Sequence, residues 1–235
     1  MTTPHLGLIV PPAAGAVPVD GPLLYGDRIR FTAKGLGLGE ISTRGYLDVI
    51  DSVVGKAVAL KEEGVSAVSL MGTSLSFFRG AAFNRQLELE MTRATGLPCT
   101  TMSNAIVGAL RHLGVRRVAV ATAYIDEVNV HLRKYLEQSD FEPLAVEGLS
   151  ISDVKAVGEV PTQVLVDLCM KVFDAQPGAD GILISCGGLV TLDAVREVES
   201  RLRVPVVSSS PAGFWDLVGT AGLDPRSPGQ GRLFG

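Results

Sequence analysis

Histidine, cysteine and aromatic residues are scarce in this 235-residue chain, with three His, three Cys and 6% Phe, Trp and Tyr. Massed charge is missing as well: 21 Lys and Arg face 25 Asp and Glu, a formal net charge of −4, and like charges run no longer than Glu62–Glu63 or Arg116–Arg117. Nucleic acid and anionic membrane surfaces are thereby excluded as partners. No window approaches the roughly 18 consecutive apolar residues of a membrane span, and "MTTPHLGLIVPP" lacks the basic start of a secretory signal, so a cytoplasmic location is expected. Cys99, Cys169 and Cys186 are odd in number and widely spaced, without a CxxC pair. They read as free thiols rather than a disulfide framework or a zinc site. His5, His112 and His131 lie too far apart to suggest a catalytic pair or metal site. "GLGLG" at 35–39 neither follows a strand nor gives the spacing GxGxxG. No metal and no cofactor is expected.

What the chain does have is 46% hydrophobic residues, enough for one large domain or two lobes. Short β-rich runs alternate with longer amphipathic ones, the pattern of βαβ units and parallel sheets flanked by helices. The runs predict strands at 6–10, 67–71, 99–102, 117–122, 181–185 and 204–209, and helices at 43–63, 79–95, 103–113, 126–138, 162–174, 190–201 and 211–221. The Gly- and Pro-rich stretch 15–41 reads as an extended loop, a possible lid.

Three strand-plus-loop units recur in order. "LGLIVPPAAG" is answered by "RRVAVATAYI", "AVSLMGTSLSF" by "DGILISCGGLVT", and "LPCTTMSNAIVGAL" by "VPVVSSSPAGFWDL". The expected fold is α/β: two similar lobes, each a mainly parallel sheet flanked by helices, related by a pseudo-twofold axis with the active site in the cleft between them. Residues 1–115 form the first lobe, 116–204 the second, and about 205–235 pack back on the first. In this repeat Cys186 stands opposite Gly72.

The strand ends carry glycine and small hydroxyls, among them Thr73, Ser74, Thr100, Thr101, Ser103 and Ser208 to Ser210, with Tyr124 after "VATA". Such residues cap helices, but converging at one cleft they also supply neutral donors for a carboxylate or enolate oxygen. Cys186 is the last residue before Gly187 and Gly188, where a side chain can project into a cleft. A thiol with an ordinary pKa of about 8.5 is mostly protonated at neutral pH, and no His lies near to strip it, which favours proton donor over nucleophile. Cys99 and Cys169 read as core.

Together "VPPAAG", "SLMGTSLSF", "RGAAFN", "TGLPCTTMS", "LGVRRVAVATAYID", "SCGGL" and "VPVVSSSPAGFWD" resemble the arylmalonate decarboxylase family of the aspartate/glutamate racemase superfamily, from residue 6 to the final "GRLF". Racemases of that superfamily carry a cysteine at both strand ends, and here one position is Gly72. The resemblance implies cofactor-independent decarboxylation of α-aryl-α-methylmalonates to enantiopure α-arylpropionates. It implies Cys186 as proton donor, and an enediolate held by Thr73, Ser74, Tyr124 and the backbone N–H groups of Cys186 and Gly187. It places Leu38, Ile41, Val154 and Val157, with Tyr46 nearby, against the departing carboxylate. The alternative is a racemase or isomerase of the same superfamily acting on a small dicarboxylate or amino acid. A two-lobed carboxylate-binding protein without catalysis would have no need of the thiol. The partner expected is a small malonate-type molecule, and the protein itself a monomer or weak homo-oligomer.

Overall fold

A computed structural model describes residues 3–235. In chain order its elements are β1 (His5–Val10), α1 (Asp20–Tyr25), β2 (Arg30–Gly35), α2 (Thr43–Val49), α3 (Val53–Glu62), β3 (Val68–Leu70), α4 (Thr73–Phe77), α5 (Gly80–Thr95), β4 (Cys99–Thr101) and α6 (Met102–His112). The second half continues with β5 (Arg117–Thr122), α7 (Asp126–Glu137), β6 (Glu142–Gly148), α8 (Thr162–Asp174), β7 (Gly181–Ser185), α9 (Leu192–Leu202), β8 (Val206–Ser208) and α10 (Ser209–Thr220).

Two four-stranded sheets result, ordered β2-β1-β3-β4 and β6-β5-β7-β8, with every pairing parallel. The order is the same in both halves, as the sequence repeat requires. Central strands are buried on both faces, which explains why β1 and β7 read as unbroken apolar runs. Local signals set the helix ends: the Ser42 hydroxyl accepts from the Gly45 N–H at the start of α2, and the Thr101 hydroxyl accepts from the Asn104 N–H at the start of α6. Gly96 closes α5 in the left-handed conformation at φ 68°.

The stretch 15–41 is not the extended loop expected from its composition. It contains α1 and a full strand, β2, paired along the whole of β1. The second sheet has the matching edge strand β6, which the sequence reading also lacked. Helix 43–63 is divided into α2 and α3 by a 3₁₀ turn at Ile50–Ser52. Within 205–235, β8 joins the second sheet beside β7, whereas α10 packs across α6 and α1 of the first half.

Candidate active site

Loops beyond the carboxyl ends of both sheets enclose a cavity of about 250 Å³. From the first half it is bordered by the end of β1, by residues 16–20, by Leu38 and Ile41, and by Met71 to Ser74; from the second by Val154, Val157 and Cys186 to Val190. The roof joins the halves: the Ile41 N–H donates to the Ser152 carbonyl at 2.9 Å, and Glu40 and Asp153 form an isolated antiparallel bridge. Leu38 and Ile41, on loops, and Val157, in a 3₁₀ turn at Ala156–Glu159, are consequently buried.

Cys186 follows β7 directly and borders the cavity while only 6% exposed. Burial pushes its thiol from an ordinary 9.0 up to about 11, a rise opposed by the nearby Gly188 N–H and Tyr124 hydroxyl. Gly72 lies just beyond β3, the corresponding strand of the other sheet, and borders the same space. A Cβ built on Gly72 would stand 2.8 Å from Leu75 Cδ1 and 3.4 Å from Pro11 Cγ. Gly187 is held close against its surroundings, since a Cβ there would fall 2.9 Å from Met102 Sδ and 3.1 Å from the Met71 carbonyl oxygen.

Gly72, Thr73, Ser74, Cys186 and Gly187 therefore border one cavity, as do Leu38, Ile41, Val154 and Val157 near its roof. The Thr73 hydroxyl donates to Met102 Sδ at 2.8 Å. Tyr46 and Tyr124 do not border the cavity; both are fully buried behind it. Burial raises the pKa of both phenols above the ordinary tyrosine value, Tyr46 beside Ser74 and Cys186, and Tyr124 beside Cys186, Ser185 and Thr73. Ser185 Oγ lies 3.4 Å from the Tyr124 hydroxyl. The Tyr46 hydroxyl approaches Ser74 without completing a hydrogen bond of good geometry.

Cys99 and Cys169 are buried away from this cavity, Cys169 with its thiol pushed up to about 12 by desolvation. Among the described residues no group of three or more His, Cys, Asp or Glu is placed to hold a metal ion, and no helix is long and apolar enough to cross a membrane. One polar cavity residue escaped the sequence reading altogether. Asp20 lies at the wall, 1% exposed, and burial raises its carboxyl to about 6. Its only sequence signal is an acid set in the apolar stretch "GAVPVDGPLL".

Two parallel sheets of like order whose strand ends border one cavity fit the aspartate/glutamate racemase superfamily. Within it, the sequence model of the arylmalonate decarboxylase family matches residues 6–234, and the chain belongs to that family. It is 58% identical to the arylmalonate decarboxylase of Bordetella bronchiseptica over 234 residues, 99% of this chain and 97% of that one. A liganded arylmalonate decarboxylase carrying a glycine-to-cysteine and a cysteine-to-serine substitution superposes with a TM-score of 0.97 at 58% identity, covering 99% of each chain. The maleate cis-trans isomerase of Nocardia farcinica shares the fold at a TM-score of 0.91 and 20% identity, covering 98% of this chain and 97% of that one.

Proposed function

We propose that the protein is a cofactor-independent carboxy-lyase that converts α-aryl-α-methylmalonates to single enantiomers of α-arylpropionates. The observation that carries this reading is one cavity bordered by a lone thiol, two hydroxyls and a wall of aliphatic side chains. The retained carboxylate lies against Thr73, Ser74 and the Cys186 and Gly187 N–H groups, with the Tyr124 hydroxyl behind them. The departing carboxylate faces Leu38, Ile41, Val154 and Val157, with Tyr46 behind. An apolar wall penalises its charge, and the penalty vanishes as neutral CO2 leaves.

As the bond from the α-carbon to the departing carboxylate breaks, its electron pair moves into the retained carboxylate and gives an enediolate. Donors that strengthen as that charge grows lower the barrier, each worth on the order of 3 kcal/mol. The Cys186 S–H then transfers its proton to the α-carbon, and the thiolate recovers a proton from solvent. A thiol pushed up to about 11 leaves a strongly basic thiolate, so this recovery is downhill at neutral pH. Racemisation would need a second donor on the opposite face, where Gly72 has no side chain.

We read the two sheets as the cores of two lobes that meet near residue 115, with α10 returning to the first. The three free thiols accord with a reducing cytoplasm. Incubating purified protein with phenylmalonate and measuring CO2 tests the reading. Release that is absent from the Cys186→Ala variant supports it; no release from wild-type protein overturns it.

A further inference from the structure

Apart from Thr73, Ser74 and Cys186, the cavity lining contains a single polar side chain, Asp20, the first residue of α1. Its Oδ1 is buried without a hydrogen-bond partner. Two hydroxyls at the start of α10, Ser209 Oγ and Ser210 Oγ, are buried without partners too. Ser210 stands close to the Asp20 carboxyl, yet neither Oδ1 nor the Ser210 hydroxyl completes a bond of good geometry. Among the described residues no cation pairs with the carboxyl.

This arrangement is held in place from both sides. A Cβ on the next residue, Gly21, would fall 2.6 Å from Phe214 Cε1, so glycine lets α1 sit directly on α10. Phe31 closes the same contact edge-on, its ring centroid 5.0 Å from that of Phe214. The carboxyl is thereby fixed over the first turn of α10 at the margin of the cavity.

Buried polar atoms nearly always find a partner, and leaving one unpaired is costly. Two such atoms, Asp20 Oδ1 and the neighbouring Ser210 Oγ, at the margin of a ligand cavity fit a partner that comes with the ligand. The two substrate carboxylates belong at the Thr73–Ser74 wall and the aliphatic roof, which leaves the aryl group to run past Val17, Val19 and Val190 toward Asp20. A carboxylate repels an anion and attracts a hydrogen-bond donor. Resting on the decarboxylase reading, we infer that Asp20, with Ser210 beside it, forms a subsite for a donor on the aryl ring, and that the preferred substrates are arylmalonates bearing a ring hydroxyl or N–H.

The test compares kcat/KM for phenylmalonate and its 2-, 3- and 4-hydroxy derivatives in wild type, Asp20→Ala and Ser210→Ala, each checked for folding by thermal melting. A hydrogen bond to a charged group predicts that wild type prefers one hydroxy isomer over phenylmalonate by about 10- to 100-fold. That ratio falls toward unity in Asp20→Ala and part of the way in Ser210→Ala. Wild type without preference for any isomer overturns the inference, and this arm needs no variant to fold. An unchanged ratio in a folded Asp20→Ala protein also overturns it and leaves Asp20 and Ser210 to bound water. Loss of CO2 release from every arylmalonate would overturn the decarboxylase reading itself and the subsite with it, whereas phenylmalonate turnover without a hydroxy preference overturns the subsite alone.

Discussion

At the scale of single residues, burial tunes the chemistry of Cys186 and Asp20 in ways the sequence does not reveal. Cys186→Ala is expected to lower kcat by about 10²- to 10⁴-fold, the usual worth of a general acid, with the melting temperature little changed. Cys169→Ala, which empties a fully buried position away from the cavity, is expected to cost about 1 kcal/mol of stability and leave kcat within a few-fold. Because the Cys186 thiol is pushed up to about 11, it remains a protonated donor well beyond the ordinary thiol range. The alkaline limb of the kcat profile assigned to this group therefore falls near 11, and a limb near 8 to 9 that disappears in Cys186→Ala would contradict the burial argument. For Asp20 the sign is also fixed. Its folded pKa, about 6, is raised above the ordinary 3.8, so the folded state holds the proton more tightly. The stability it contributes is present below pH 4 and is lost as pH rises through 6. Asp20→Asn removes that loss, and above pH 7 it is expected to be more stable than wild type by up to about 3 kcal/mol in chemical denaturation. Equal pH dependence in the two proteins would show that the carboxyl is not desolvated in solution.

At the scale of elements, what was legible in the sequence followed from burial on two faces. The central strands β1, β5 and β7 stand out because both faces are covered and their middle positions are apolar. The edge strands β2 and β6 were invisible for the complementary reason: "RFTAKG" and "EPLAVEG" carry charge and lie half-exposed, so no apolar run marks them. Their ends nevertheless matter to the site. Gly148 closes β6 so tightly that an added Cβ would collide with the Tyr124 carbonyl oxygen and approach Asn129 Nδ2 to 2.7 Å. Gly148→Ala is expected to displace the loop carrying Tyr124, reducing kcat more than it raises KM, because the enediolate donors are felt mainly in the transition state. An unaltered kcat with only a lower melting temperature would separate Tyr124 from the reaction. The hydroxyls at strand ends likewise divide by element. Thr101 caps α6, while Thr73 and Ser74 border the cavity, a distinction that residue type alone could not draw.

At the scale of the whole molecule, the cleft exists because two sheets of identical order place equivalent strand ends on opposite sides of one cavity. The internal repeat disclosed that correspondence in the sequence, whereas the roof did not show there. The contact of residues 40–41 with 152–153 is made by backbone groups on loops without periodicity. The correspondence between Gly72 and Cys186 makes a prediction that depends on both halves at once. A single thiol delivers a proton to one face of a planar enediolate, so wild type is expected to give one enantiomer and not to racemise it. Gly72→Cys puts a second thiol on the facing wall. The new Cβ meets Leu75 Cδ1 at 2.8 Å, and Leu75 is fully buried, so the substitution alone forces a side-chain shift within a packed wall. Pairing it with Leu75→Val, which removes a methylene from that wall, relieves the clash. The double variant is expected to decarboxylate more slowly than wild type, to yield product of lower enantiomeric excess and to racemise an added α-arylpropionate, all read by chiral chromatography. Melting temperatures rank the variants independently, with Gly72→Cys below Gly72→Cys/Leu75→Val if the Leu75 contact is the source of strain. Product of undiminished enantiomeric purity from a folded, active double variant would mean that positions 72 and 186 do not address opposite faces of the same carbon, and the cleft would then require a different placement of the substrate.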